Sequence, residues 1–294
     1  MSRTLVLFTL LAAATAAAAP KKALIIDGRN NHDWKATTPV LKQILEQDGL
    51  FQVDVETAPP DNASLASFKP DFAPYALVVL NYNDFGPKNA GDWPEATQQA
   101  FLDFVRKGGG VVSYHAADNA FPKWAEFNKV IGLGGWSGRD EKDGPYIRWK
   151  DGKVVRDMSP GRGGSHGPRH SFLIEIREPN HPITKGLPLK FMHHVDELYD
   201  RLRGPAENLE LLATAFSAPE QKGTGEHEPM LFTIRYGKGR VFHTTLGHDV
   251  EAMRCVGFIV TLQRGAEWAA TGKVKQKVPA DFPTAEKISL RDFK

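Results

Sequence analysis

The stretch "GGGVVSYHAAD", Gly108–Asp118, joins a glycine triplet to the apolar, β-branched run Gly110-Val111-Val112-Ser113-Tyr114, then to His115, Ala116 and Ala117. It reads as a buried strand that gives way to a loop or helix at a titratable ring. Upstream, Glu95 to Lys107 reads as a helix with Phe101, Leu102 and Val105 on its core face, closed by basic residues and Gly108. Before it come the apolar run Tyr75 to Leu80, the alternating strand Phe51 to Val55, and a helix capped by Thr38 with Pro39 in its first position. That helix places Val40, Leu41, Ile44 and Leu45 on one face and stops near Gly49. The first strand is Ala23 to Gly28, and Phe121 to Ile131 reads as a further helix. Strand and helix alternate throughout, which specifies an α/β fold with a mainly parallel central sheet covered on both faces.

The texture changes at Gly132. The segment from there to Arg169 is rich in Gly, Asp, Arg and Lys, yet it holds Trp136, Tyr146 and Trp149, so it reads as a long ordered excursion near a site. Beyond it, Ser171 to Arg177, Leu209 to Phe216, Met230 to Arg235 and Arg240 to Thr245 read as strands. "YGKG" between the last two is a hairpin turn, so antiparallel strands are added to the sheet. Val250 to Trp268 reads as a last helix with Cys255 buried inside it.

The 294 residues suffice for one domain, with a core over about 22–274 and a tail over about 275–294. The first 19 residues read as an export signal: Arg3, the apolar Leu5 to Leu11, and an Ala16-Ala17-Ala18 site for cleavage next to Ala19. The expected destination is the periplasm or the exterior, with no membrane attachment of the mature chain. A single cysteine excludes an intrachain disulfide framework. A net charge of +2 with interspersed signs argues against a nucleic-acid surface.

In open parallel sheets, ligands bind beyond the carboxyl ends of the strands. Those ends carry "DGRNNHDW" with Asn31 and His32, "NYND" with Asn81 and Tyr82, then His115 with Asp118, and "TTLGHD" with His248 and Asp249. Three histidines at one rim mark a site. "HHVDELY" (His193, His194, Asp196, Glu197, Tyr199) and "GRGGSHG" (His166) stand apart. Histidines near carboxylates suit a divalent metal such as zinc, although no H-E-x-x-H spacing is present; His115, His248 and His194 are the metal candidates. "HHVDELY" equally fits a half-exposed strand, and His181-Pro182 fits a turn. Cys255 is no thiol nucleophile, Ser113 lacks a nucleophile-elbow context, and no dinucleotide fingerprint or P-loop is present, so no nucleotide cofactor is expected.

The lead into "VVSYHAAD", the "NHPITKGLP" turn, "DELY" and "YGKGRVFHTTLGHD" resemble the ThuA-like (trehalose utilisation) family, in order, from about Lys22 to about Val274. The resemblance implies a flavodoxin-like sandwich akin to class I glutamine amidotransferases, in which His115 stands where those enzymes carry a nucleophilic cysteine. Amidotransferase chemistry is therefore excluded. It further implies a small carbohydrate partner, in particular a disaccharide or 3-keto-glycoside, and places His32, His115, Glu197, His248 and Asp249 on recurrent polar motifs. The expected activity is histidine-assisted proton transfer leading to isomerisation, elimination or hydrolysis. Asn31, Asn81, Tyr82, Asp118, His166 and Tyr199 would contact the sugar, with Trp136 and Trp149 stacking on it. The alternatives are a non-catalytic sugar-binding protein and a metal-dependent hydrolase.

Overall fold

The structure is a computed structural model that describes residues 19–85 and 91–293. The expected export signal up to residue 18 lies outside the described residues. The chain runs β1 (Lys21–Asp27), α1 (Trp34–Glu46), β2 (Phe51–Thr57), α2 (Asn62–Leu65), β3 (Leu77–Leu80), α3 (Glu95–Arg106), β4 (Gly110–Tyr114) and α4 (Ala125–Ile131). Then follow β5 (Tyr146–Lys150), β6 (Lys153–Asp157), β7 (Ser165–His166), β8 (His170–Ile176), β9 (Lys190–Asp196) and β10 (Tyr199–Asp200). The remainder is β11 (Leu209–Phe216), β12 (His227–Tyr236), β13 (Gly239–Thr244), α5 (Val250–Met253) and α6 (Val256–Thr271).

A nine-stranded sheet in the order β2-β1-β3-β4-β13-β12-β11-β8-β9 forms the centre. Its first five strands are parallel, and β12, β11, β8 and β9 join antiparallel. The parallel strands β1, β3, β4 and β13 are buried on both faces over most of their length, hence their apolar runs, whereas the edge strand β2 alternates. One face packs Val40, Leu41, Ile44 and Leu45 of α1 together with nearly all of α6; the other packs Phe101, Leu102 and Val105 of α3. Among the described residues, no helix is long and apolar enough to cross a membrane.

Three boundaries differ from the sequence reading. α1 starts at Trp34, because the Asp33 carboxylate accepts the Ala36 N–H and caps it; Pro39 lies inside the helix. Thr37 and Thr38 are not caps, since their hydroxyls accept from the Asn81 amide. Phe121 has φ +47 and precedes a proline, so α4 begins only at Ala125. Cys255 is buried, as expected, but stands at the N-cap between α5 and α6 rather than inside one helix.

The excursion is ordered by buried arginines that satisfy its carbonyls. Arg203 donates to Gly144 O at 2.9 Å, Ser159 O at 2.9 Å and Gly161 O at 3.0 Å, with its guanidinium 3.9 Å from the Tyr146 ring centroid. Arg139 donates to Gly135 O within the excursion and to Ala120 O before it, and Arg148 pairs with buried Glu228 of β12. Arg203→Ala leaves three carbonyls unpaired and is expected to cost about 3 kcal/mol and to open residues 141–163 to limited proteolysis. Unchanged cleavage of that segment would refute the anchoring role.

His181 builds the expected turn. Its Nδ1 accepts the Ile183 N–H, and its ring meets Trp268 edge-on. Burial, then the Arg235 guanidinium, push the imidazole down to about 4. An unfolded imidazole titrates near ~6.5. Below that pH the unfolded chain binds the extra proton, so stability falls as pH drops toward about 4. His181→Asn keeps an acceptor without the titration and is expected to remove a slope of roughly 1.4 kcal/mol per pH unit between pH 6.5 and 5 in urea denaturation. An identical slope in the variant would reject this.

Candidate functional site

The carboxyl ends of β1, β3, β4 and β13 reach the same edge of the sheet. After β4 the chain turns at once into a 3-10 turn, His115–Asn119. His115 sits at the corner with φ +43, a left-handed conformation that costs a non-glycine residue about 1–3 kcal/mol. The turn aims its ring at the sheet edge. There Nδ1 donates to Thr245 O at 2.6 Å, which leaves the Nε2 lone pair facing the site.

Three more groups converge on that nitrogen. His32 comes from the loop after β1, where its Nδ1 donates to Asn31 Oδ1 at 3.2 Å and its backbone N–H to Asn30 Oδ1; Asn83 holds both asparagines. His248 follows β13 and offers Nδ1. Glu197 follows β9 and offers Oε2, which lies 3.7 Å from His32 Nε2, 3.7 Å from His115 Nε2 and 3.1 Å from His248 Nδ1. All four ligand atoms lie within 4.8 Å of one another. The three rings stand nearly edge to face, with centroids 4.8–5.4 Å apart. His115 Nε2, His248 Nδ1 and Glu197 Oε2 are buried without a hydrogen-bond partner among the described residues.

Buried polar atoms aimed at one point without bonding one another need a further partner. Four ligands at 2.0–2.2 Å around a tetrahedral cation stand roughly 3.4 Å apart, and the cluster brackets that spacing. Burial pushes the Glu197 carboxyl up, but the His115, His248 and His32 imidazoles more than reverse this and hold it well below the usual range. Burial lowers His32; in His115, Glu197 and Asp196 overcome burial and raise the imidazole. A carboxylate and three imidazoles, two with their tautomer fixed from behind, form a donor set suited to a divalent transition metal.

Behind the four, Asp196 is fully buried. Its carboxylate accepts the backbone N–H groups of Glu197 (2.8 Å), Gly247 (2.7 Å) and His248 (3.0 Å), and it pairs with His193 Nε2 at 2.7 Å. One side chain thereby fixes the backbone of two members of the cluster.

An open cleft of about 480 Å³ leads to the cluster. The Tyr199 ring lies against that of His115, with centroids 4.3 Å apart and planes tilted by 34°, and Trp136 meets Tyr199 at 4.7 Å. Asn31, Asp33, Phe85, Asn119, His166 and Asp249 complete the lining. Asp249 faces the cleft, but its carboxylate caps α5 at Ala252 N and pairs with Arg169 at 2.7 Å.

Several expected site residues lie elsewhere. His194 points away and pairs with Glu251 at 2.7 Å, because adjacent residues of β9 face opposite sides. Asn81 is buried against α1. Tyr82 is packed between Trp93 and Phe121. Asp118 is fully buried, 3.6 Å from His243 Nε2. Trp149 lies 5.1 Å from the Arg177 guanidinium, outside the cleft lining. The sequence reading did not assign Asp33, Phe85 and Asn119 as lining or Asn83 and Asp196 as supports, although Asp33, Asn83 and Asp196 stand in motifs it singled out.

Residues 22–269 match the family described as Trehalose utilisation, ThuA. The chain belongs to the ThuA family. A ThuA-like protein from Parabacteroides merdae is 55% identical with a TM-score of 0.88, covering 92% of this chain and 98% of that one. A ThuA-like protein from Bacteroides uniformis is 20% identical with a TM-score of 0.55, covering 90% and 97%. The cytoplasmic protein STM3548 from Salmonella typhimurium is 13% identical with a TM-score of 0.50, covering 84% and 98%. The last two share the fold alone. No protein of curated function matches this ThuA-family chain.

Proposed function

We propose that this ThuA-family protein is a metal-dependent enzyme acting on a small carbohydrate, by proton transfer next to a sugar carbonyl. The observation that carries the reading is the convergence of His32, His115, His248 and Glu197 within 4.8 Å at the floor of a cleft. The aromatic wall of Tyr199 and Trp136 supports a sugar occupant, since a ring offers apolar area to a sugar face beside hydrogen-bonding groups. The described lining carries no lysine or arginine, which favours an uncharged sugar over a phosphorylated one. A bound divalent ion would supply Lewis acidity toward the carbonyl and neighbouring hydroxyl oxygens. Asn31 and Asn119 would bind hydroxyls, and a basic imidazole would take the proton. A 3-keto-glycoside fits best, because its carbonyl acidifies the C2–H and opens both isomerisation and loss of the C1 substituent. The reading of residues 1–19 as an export signal would place the site of action in the periplasm or outside the cell.

The test is metal analysis of the full chain, then NMR with 3-keto-trehalose and 3-keto-glucosides in deuterated buffer. Deuterium entering C2, or release of the C1 substituent, is expected only with metal present. Sugar binding without exchange or product would instead favour a non-catalytic binding protein.

A further inference from the structure

Glu197 divides its two oxygens. Oε2 faces the three imidazoles of the cluster, whereas Oε1 faces a fourth, His166, whose Nε2 lies 3.7 Å away. We propose that His166, supplied by the excursion, is the proton-carrying catalytic residue of the cleft, while His32, His115 and His248 serve the cation. The assignment rests on the metal-dependent carbohydrate reading above.

His166 stands outside the group of four whose ligand atoms lie within 4.8 Å of one another. Its side chain is 36% exposed where that of His115 is 2% exposed, so it stands at the mouth, where substrate arrives, rather than on the floor. Its Nδ1 donates to Gly167 O at 2.8 Å, which leaves the basic Nε2 turned inward. It also lies directly opposite Tyr199 in the β7–β10 ladder, with the two rings 27° from parallel. The Tyr199 ring in turn lies 4.3 Å from that of His115, tilted by 34°, so Tyr199 stands between the floor and the mouth. The turn that carries it is packed without slack. Gly164 has φ +81 and would place a Cβ 2.4 Å from Trp136 N; a Cβ on Gly167 would fall 1.7 Å from Gln221 O. Such a mounting gives the positional precision that proton transfer needs.

The step balances without an outside oxidant or reductant. The proton on the carbon beside the carbonyl moves to His166 Nε2, the C–H pair becomes the C=C of an enediolate, and the carbonyl π pair moves onto oxygen. Return of the proton from Nε2 to the former carbonyl carbon, while the hydroxyl proton of the neighbouring carbon passes to the first oxygen and that carbon becomes the new carbonyl, completes an isomerisation. Alternatively the carbonyl re-forms, a C1=C2 bond forms, the C1–O bond breaks, and the departing oxygen takes the proton.

The experiment compares metal-loaded wild type with His166→Ala and His166→Gln on the 3-keto-glucoside series, recording C2 exchange, kcat, KM and bound metal. The expected result is a kcat lower by about 10²–10⁴-fold, with metal content unchanged and KM within a few fold. Added imidazole is expected to restore part of the activity of His166→Ala alone. Activity within threefold of wild type would overturn the assignment, as would loss of the metal, which would make His166 a ligand. A wild type inactive on the whole series would defeat the underlying reading, and the assignment with it.

Discussion

On the metal-dependent reading proposed above, Glu197→Gln is expected to prevent binding of the divalent metal and to abolish activity. The carboxylate is the sole anion among the four converging groups, and its Oε2 lies within 3.7 Å of all three imidazole nitrogens. The amide keeps size and shape but removes the charge, so a divalent ion would be surrounded by neutral donors in a largely buried site, where an uncompensated charge is strongly disfavoured. Loss of a supporting group alone typically weakens metal sites by about 10–100-fold; loss of the anionic ligand is expected to exceed that and to lower activity by more than about 10³-fold. Bound metal should drop from one equivalent to near none by elemental analysis. Added metal should raise the wild-type melting temperature by mass action and leave that of the variant unchanged. A variant that retained a full equivalent would show that the ion sits elsewhere.

The second large effect is expected at Asp196, which touches no substrate. Its carboxylate, fully buried, holds three backbone N–H groups and the buried His193 imidazole. Burial pushes Asp196 up, yet His193, His115 and the Gly247 N–H hold it below the ordinary range. Burial also works against the His193 imidazolium, and Cys255 together with Asp196 outweighs it and raises that pKa. Removing one member of such a pair leaves the other charge buried and alone, at about 3–5 kcal/mol. Asp196→Ala is therefore expected to lower the melting temperature by roughly 10 °C. Because the folded carboxyl is depressed, its contribution is present above the unfolded value of about 3.9 and is lost as pH falls through the folded one. In an acid titration, wild type and variant should converge in stability, and parallel curves would contradict the role. Asp196→Asn should also loosen the metal, since its amide NH2 must face a donor in either orientation, the Glu197 and His248 N–H groups on one side or the Gly247 N–H and His193 on the other.

These two residues mark the limit of what the sequence discloses. Asp196 and Glu197 stood in a motif that read equally as a half-exposed strand and as a site. Both descriptions hold, because neighbours along β9 and its end face opposite sides: His193 inward, His194 outward to Glu251. Alternation shows that two faces exist, and packing decides which face is inner. The same ambiguity took Asn81 and Tyr82 for site residues. They stand at a strand end on the correct rim, but their side chains turn into α1 and the aromatic core. Asp249 illustrates a local competitor: the free N–H groups of α5 take the carboxylate that sequence position alone would assign to chemistry.

The sequence by itself determined the class of fold, the rim on which the site lies and the corner at His115. Each follows from local pattern: apolar runs of strand length, helical faces of period 3.6, and the rule that parallel strands end together at the ligand edge. Only the tertiary structure decided that His32, His115, Glu197 and His248 share one point while His194 does not, and that His166 looks in from the excursion. Those residues lie far apart along the chain. Their convergence depends on strand order, on a left-handed turn at His115 and on Asp196 binding two distant backbones, and none of these leaves a periodic signal in the sequence.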